Sequence, residues 1–318
     1  MRYIAFLLIC IIISPAIAFA GETPSKWWGA SPPSAFMIYI VNPDALAGWP
    51  AKLYPYEVKF IPEKYKKLPV LGSWHEGGGI PDKEMLVKYK IKKAFMITSL
   101  VHTENRFPEI YNFGMEVHTL KGLTLNDYIF MLRELGKKLD VASRGEELAQ
   151  YAESALQKSA AMSKGITDKP RVYVAENNDG LTTSCNFETL DIAGGINVFK
   201  CPESVTKGFT QISFEQVMLM DPDVVVIANP FFAEKFKDDK KWRRLRAYKE
   251  GRVYVVPFGP FGWMDKPAVM NFIAVQWLSC KLHPDKCAVD MEDETKRFMK
   301  LFLHLDLNAT EIKTILYR

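Results

Sequence analysis

The chain opens with Arg2 and an unbroken apolar run from Tyr3 to Ile13. Ser14 and Pro15 break the run, and Ala18-Phe19-Ala20 precedes Gly21. A positive residue, an apolar stretch and a small-x-small site predict a cleavable export signal over residues 1–20. The run is short of the roughly 20 residues of a membrane span, which disfavours an uncleaved anchor. Ile9 is bulky for the position before a lipid-modified cysteine, which disfavours lipidation at Cys10.

Beyond Gly21, short apolar clusters of strand length alternate with segments of helical spacing. Strands are predicted at Ala94 to Ile97, Gly114 to His118, Arg171 to Ala175, Asp223 to Ala228 and Gly251 to Pro257. The apolar segment Ala35 to Val41 follows a Ser31-Pro32-Pro33-Ser34 turn, and residues 58–72 read as loop and short strand. Helices are predicted to start at Asp82, Thr124 and Ser213, and over Phe187 to Gly195. Amphipathic helices are predicted over Lys266 to Leu282, over Glu292 to Leu305 and after Asn308. Such alternation predicts an α/β protein with mainly parallel strands.

The middle of the chain breaks this rhythm. The Thr124 helix is expected to end at Gly136, and Ser143-x-x-Glu146 reads as a capping box. Leu148, Tyr151, Ala152, Ala155, Leu156 and Met162 then recur at helical spacing with no Gly or Pro between Glu146 and Lys164. A helix of that length spans roughly 30 Å. It predicts a rigid connector over 141–167 between an N-terminal α/β lobe at 21–140 and a C-terminal one at 168–318.

The lobes share a pattern. Asp82 is followed by Glu84 and Ser213 by Glu215, and in each case a buried strand begins about ten residues later. A Glu at the second helical position also simply suits the helix dipole.

Composition narrows the function. Of 318 residues, 48% are hydrophobic, 25% charged and 13% aromatic, which excludes a disordered or low-complexity chain. The net charge of 41 − 37 = +4, with no clustered basic stripe evident in the sequence, gives no argument for nucleic-acid binding. Past the leader, cysteines fall in two local pairs, Cys185/Cys201 and Cys280/Cys287. An exported chain meets oxidising conditions, so these are candidate disulfides, with buried free thiols as the alternative. CxxC spacing is missing, which argues against structural zinc.

No nucleophile elbow, P-loop, HExxH or dinucleotide fingerprint is present. Three loops carry candidate site residues. Trp74 and His75 precede Gly77-Gly78-Gly79, a flexible turn; Glu176, Asn178 and Asp179 follow a strand end; Phe261 and Trp263 follow another. Open α/β sheets bind ligands beyond the carboxyl ends of their strands. Aromatic residues beside polar groups suit a flat, partly apolar ligand, although Trp263 can equally pack under the next helix. His75 and His102 are candidate metal ligands, and Trp27, Trp28 and Tyr39 are read as core. An exported enzyme using Glu176 and Asp179 as an acid/base pair is the rival from another class.

The chain resembles the substrate-binding proteins of ABC importers that carry siderophore-iron, haem, vitamin B12 and related metal complexes. The resemblance covers nearly all of residues 26–305. It rests on Gly251-Arg252-Val253-Tyr254 with Pro257, Gly259-Pro260-Phe261-Gly262-Trp263, Trp277-Leu278 and Leu282-His283-Pro284. It also rests on Asp179-Gly180-Leu181, Gly194 to Val198, Phe214-Glu215-Gln216 and Asp221-Pro222-Asp223.

The resemblance implies a class III periplasmic binding protein fold, two Rossmann-like lobes joined by one long helix. It implies a periplasmic monomer with no cofactor of its own, partnered by an inner-membrane permease and its ATPase. Glu84 and Glu215 match the glutamates that dock on permease arginines in that family, and Trp74 resembles a tryptophan that contacts corrinoid. The cargo implied is a metal complex, foremost an iron chelate, with cobalamin, haem and a nickel or cobalt complex left open. A haem-handling or metallochaperone-like protein serving another partner is a further alternative. Lys90-Ile91-Lys92 departs from the family's usual Lys-Pro-Asp, and the candidate loops lack the arginine cluster of a strongly anionic catecholate site.

Overall fold

A computed structural model describes residues 26–58, 60–74, 81–98, 114–201, 208–259, 261–264 and 268–317. The export signal, His75, His102 and the Gly77-Gly78-Gly79 turn lie outside the described residues.

The first half holds strand β1 (Trp27–Gly29), helix α1 (Pro32–Val41), helix α2 (Lys83–Lys88), strand β2 (Lys93–Thr98) and strand β3 (Glu116–Lys121). These strands form a parallel sheet in the order β1-β2-β3, with Trp28 opposite Ala94 and Phe95 opposite His118. Successive residues alternate between two apolar clusters. Trp27, Phe95 and Ile97 join the large central core, while Trp28, Ala94 and Met96 join a smaller cluster. A parallel sheet covered on both faces needs this period-two partition of apolar side chains. The Ala35 to Val41 segment is part of α1, with Ser31 as N-cap and Pro32 and Pro33 in the first turn. Residues 58–72 hold one-turn helices ending at Val58 and spanning Glu63–Lys66, and Val70 makes a single bridge to Trp49.

Two helices follow, α3 (Leu125–Lys138) and α4 (Ala142–Ser163). The helix start expected at Thr124 is there, and Thr124 with Asp127 forms a capping box on α3. The expected box at Ser143 is absent: Ser143 lies inside α4, whose N-cap is Val141 with no side-chain bond. The link between the two helices sets that start. Asp140 adopts left-handed geometry (φ 59°), and the Val141 N–H donates to Gly136 O at 2.8 Å, a Schellman closure. Gly136 therefore does not end α3. It lies within the helix, against Gly145 of α4. The 22 residues of α4 span about 33 Å.

The second half contains strand β4 (Arg171–Ala175), strand β5 (Thr182–Ser184), helix α5 (Glu188–Ile192), strand β6 (Ile196–Asn197), strand β7 (Phe209–Gln211), helix α6 (Phe214–Met220), strand β8 (Val224–Ile227), helix α7 (Pro230–Phe236) and strand β9 (Val253–Val255). A parallel sheet runs β6-β4-β8-β9, and β5 pairs antiparallel with β7. Val172, Val174, Val224 and Val226 face the central core, whereas Tyr173, Ala175, Val225 and Ile227 face a second cluster around Trp242. Cys185 is bonded to Cys201 and Cys280 to Cys287, with Cα atoms 5.2 and 4.6 Å apart.

The chain ends with α8 (Asn271–Leu282), α9 (Met291–Leu303) and α10 (Ala309–Leu316). The amphipathic expectation fails for α8, in which every residue from Asn271 to Ser279 is buried. It packs against α4, α5 and α9, so no face is left for water. The central core runs without interruption from Trp27 and Tyr39 through Leu148 and Val172 to Phe272, Phe298 and Ile315. The C-terminal helices reach back to α1: the Tyr39 hydroxyl donates to Leu303 O at 3.1 Å, and His304 Nε2 lies 3.1 Å from Tyr39 O. No helix among the described residues is long and apolar enough to cross a membrane.

Candidate functional site

The halves of the molecule meet at residues that follow strand ends. The Phe36 ring of α1, just past β1, lies 4.2 Å from the Phe261 ring, just past β9. Gly259 has φ 145°, a backbone conformation that strains an L side chain, and a Cβ there would be in ordinary contact with the Phe60 ring at 3.4 Å and Ile315 at 3.5 Å, so both lie beside this junction. The N–H of Leu125, the first residue of α3, donates to Glu188 Oε2 of α5 at 2.8 Å. Burial raises the Glu188 carboxyl above its usual range, the Leu125 N–H opposes that shift, and Asp127 and Asp191 add to it.

Beyond β4 the chain makes a stapled turn. Asn177 is left-handed (φ 56°), and its amide donates to Thr182 Oγ1 at 3.0 Å. Asp179 accepts from the Leu181 N–H at 2.9 Å and from Gln211 Nε2 at 3.0 Å. The Tyr173 hydroxyl donates to Gly180 O at 2.9 Å. Burial pushes that phenol upward, with Asp179 and Glu176 adding to the shift. Glu176 is half-buried, its N–H donating to Thr182 O at 2.8 Å, and Asn178 is exposed at the tip. Asp179 thus has both carboxylate oxygens engaged in holding the turn, and Asn178 is the side chain it presents.

Both candidate tryptophans are buried. Trp263 is 0% exposed within the central core, its indole N–H aimed at Gly259 O at 3.5 Å. The expectation that Trp263 meets a ligand is corrected: Phe261 lies at the junction, and Trp263 lies beneath it. The 9% exposed Trp74 packs in the small cluster with Trp28, Leu71 and Leu86, and its backbone N–H donates to Ala30 O at 2.6 Å, just past β1. The sequence reading missed Phe231. It is 60% exposed on the first turn of α7, past β8, where Asn229 Oδ1 accepts from the N–H groups of Phe231 and Phe232. Asn229-Pro230, a capping residue before a first-turn proline, was the signal available. Phe36, Phe60 and Glu188 were also missed, because their roles arise from contacts far apart in sequence.

Among the described residues, no three His, Cys, Asp or Glu side chains converge as a metal-holding group. Glu84 and Glu215 are exposed in the first turns of α2 and α6. The Asp82 carboxylate caps α2 by accepting from the Met85 N–H at 3.0 Å, and Ser213 with Gln216 forms a capping box on α6.

A family profile described as "Periplasmic binding protein" matches residues 110–259. An ABC transporter solute binding protein from Sulfurospirillum deleyianum has a similar structure, with a TM-score of 0.83 at 29% identity, over 92% of this chain and 94% of that one. The chain is similar to the periplasmic binding protein family over those residues and to its solved members in fold. The α/β fold with parallel sheets, expected as class III, is that of the family. The high-affinity haem uptake system protein IsdE of Staphylococcus aureus is 22% identical over 224 residues, 65% of this chain and 73% of that protein. The molybdate periplasmic binding protein MolA of Haemophilus influenzae, solved with molybdate, shares the fold with a TM-score of 0.73 at 16% identity, over 90% and 95% of the two chains. Family and neighbours are transport binding proteins.

Proposed function

We propose that this protein is the exported solute-binding component of an ABC importer and captures a metal complex between two lobes, 21–140 and 168–318. Residues 1–20 would be its leader, and an inner-membrane permease with its ATPase its partner. The observation that carries the reading is the aromatic junction of Phe36, Phe60 and Phe261, with Phe231 exposed on the same strand-end side of the second sheet. Aromatic faces, with the polar Asn178 exposed past the neighbouring strand β4, suit the organic shell of a chelate. An iron chelate is the cargo we favour, and Glu84 and Glu215 would dock on the permease. The likeness to a haem-uptake protein supports haem as the second reading. His75 and His102 stay in this proposal as metal-facing candidates and Trp74 as a wall of the site.

The test is titration of the purified mature chain with a ferric hydroxamate siderophore, haemin, cyanocobalamin and molybdate, followed by intrinsic fluorescence. Saturable one-to-one binding of a metal complex is expected, weakened about tenfold by Phe231→Ala. Absence of saturable binding to all four, or turnover of a bound compound, would overturn it.

A further inference from the structure

The near-even charge of the chain conceals one local imbalance. The connection from α7 to β9, residues 237–252, holds eight Lys or Arg against three Asp or Glu, a net 8 − 3 = +5. Without the leader and its Arg2, the other residues hold 32 Lys or Arg (41 − 9) and 34 Asp or Glu (37 − 3), a net −2. Asp238, Asp239 and Glu250 interrupt the run, so no basic stripe stands out in the sequence. The fold assembles one. Trp242 is buried, its ring 5.1 Å from the Phe232 ring, 5.3 Å from Phe214 and 5.7 Å from Phe236. Leu245 and Ala247 are buried in the same cluster. These three anchors hold the segment against the second sheet and turn the residues between them outward: Lys237, Lys240, Lys241, Arg243, Arg244 and Lys249 are all exposed. Asp239 Oδ1 accepts from the Lys241 N–H at 2.9 Å, and Arg243 Nη2 donates to Lys237 O at 2.6 Å, so the segment is also fixed by its own bonds. Among the described residues, Arg246 is the cation of this segment held in ion pairs, with Asp221 at 3.2 Å and Asp223 at 2.6 Å.

We propose that this ridge is an electrostatic contact for the anionic phospholipid headgroups of a membrane. A run of exposed Lys and Arg is often only a solvated face. Two observations set this one apart. Its charges are fixed by a buried tryptophan rather than carried on a loose tail, and six of them are left without a neutralising carboxylate. The ridge also lies beside α6: Lys241 Nζ is 6.0 Å from the centre of the Phe214 ring, and Phe214 precedes Glu215. With α6 facing the importer, as in the proposed function, the ridge faces the lipid around it. Long Lys and Arg side chains spread along one segment match smeared negative charge, and each cation near such a surface strengthens attachment about fivefold. The attraction decays within a Debye length, about 10 Å at 0.1 M salt, so it holds the protein near the membrane without fixing it there. The placement beside the importer rests on the proposed function; the headgroup contact does not, and is tested without the importer.

The experiment is co-sedimentation of the mature protein with vesicles of mixed phosphatidylglycerol and phosphatidylcholine, and of phosphatidylcholine alone, from about 20 to about 200 mM salt. It compares wild type with a ridge variant, Lys237→Gln, Lys240→Gln, Arg244→Gln and Lys249→Gln combined. A control variant removes the same charge elsewhere, by Lys138→Gln, Lys158→Gln, Lys296→Gln and Lys300→Gln at exposed positions of α3, α4 and α9. Thermal melts verify that both variants fold. Wild type is expected to bind the anionic vesicles and not the neutral ones, with affinity falling as salt rises. The ridge variant should bind at least about tenfold more weakly, and the control should stay within about threefold of wild type. Wild type that ignores the anionic vesicles at low salt would overturn the proposal, as would a control that loses as much as the ridge variant, which would assign the attraction to net charge. Retention on heparin without vesicle binding would overturn it in favour of another polyanion. Any of these failures leaves the ligand titration of the proposed function untouched, and failure of that titration leaves vesicle binding in place.

Discussion

Gly145→Ala tests how α3 and α4 are joined. A Cβ at position 145 would lie 2.5 Å from Leu132 O and 2.8 Å from the Gly136 Cα. Both obstacles are backbone, so no rotamer change relieves them. The helices must separate by several tenths of an ångström. Overpacking of this kind costs about 1–3 kcal/mol, and rigid surroundings place it near the top of that range. Alanine recovers about 1 kcal/mol through its higher helix propensity. The difference, about 2 kcal/mol of destabilisation, should lower Tm by roughly 4–8 °C at 2–4 °C per kcal/mol. Calorimetry of the mature chain reads this directly, and urea unfolding should show a lower midpoint at unchanged m-value. The companion change Gly136→Ala, whose Cβ would meet the Gly145 Cα at 2.7 Å, should not add fully, since both strike the same contact. An unchanged or raised Tm for Gly145→Ala would mean that propensity outweighs packing and that the two helices are not in backbone contact.

Three further outcomes are expected. Because burial raises the Glu188 carboxyl in the folded protein, the native state binds protons more tightly there than the unfolded chain does, so this group's contribution to stability rises as pH falls through the raised value towards 4.5. Glu188→Gln, which keeps an acceptor for the Leu125 N–H, should remove that slope and leave stability at pH 7 equal or higher; a large loss at pH 7 would show that the charge itself is needed at the start of α3. Tyr151→Phe should cost about 1–3 kcal/mol in chemical denaturation, because the Tyr151 hydroxyl donates to the buried Glu294 carboxylate, which would keep only Gln276 Nε2 at 3.2 Å among its observed donors. Cys280→Ser with Cys287→Ser should lower stability by about 2–3 kcal/mol through the freed loop, and an equal Tm under oxidising and reducing conditions in the wild type would refute that crosslink.

What the sequence revealed and what it hid divide along physical lines. Asp82, Thr124 with Asp127, Ser213 with Gln216, and Asn308 with Glu311 each cap a helix as local chemistry requires, because a cap is satisfied within three residues. Ser143 carries the same local signature and caps nothing, because the approach of Gly145 to Gly136 governs where α4 begins. Buried α8 and α1, whose only strongly polar side chain, Ser34, is itself buried, had no polar face for periodicity to detect. At the site, strand-end loops were legible because an α/β sheet exposes its carboxyl ends. Which aromatic in Phe261-Gly262-Trp263 turns outward was not, since that choice is made by Phe36 and Phe60, some two hundred residues earlier in the chain.

These same long-range contacts constrain how the proposed cleft works. A flexible linker lets two lobes open widely, but here the elements that would have to part share one core. Tyr39 is bonded to Leu303 and His304, and Tyr151 on α4 is tied to Gln276 on α8 and Glu294 on α9. Large hinge motion would have to expose part of that apolar cluster, at about 25 cal/mol for each Å² uncovered. Opening a few hundred Å² would cost several kcal/mol, comparable to a large share of a domain's stability. The strand-end contacts among the described residues are cheaper to break, the half-buried ring pair of Phe36 with Phe261, the approach of Phe60 to Gly259 and the hydrogen bond from Leu125 to Glu188. Ligand entry should therefore act at that rim and leave the α4–α8–α9 frame in place. Hydrogen exchange is the discriminating measurement. Ligand-dependent protection confined to the N–H of Leu125 and residues 258–264 fits this account, and equal changes along α8 would contradict it.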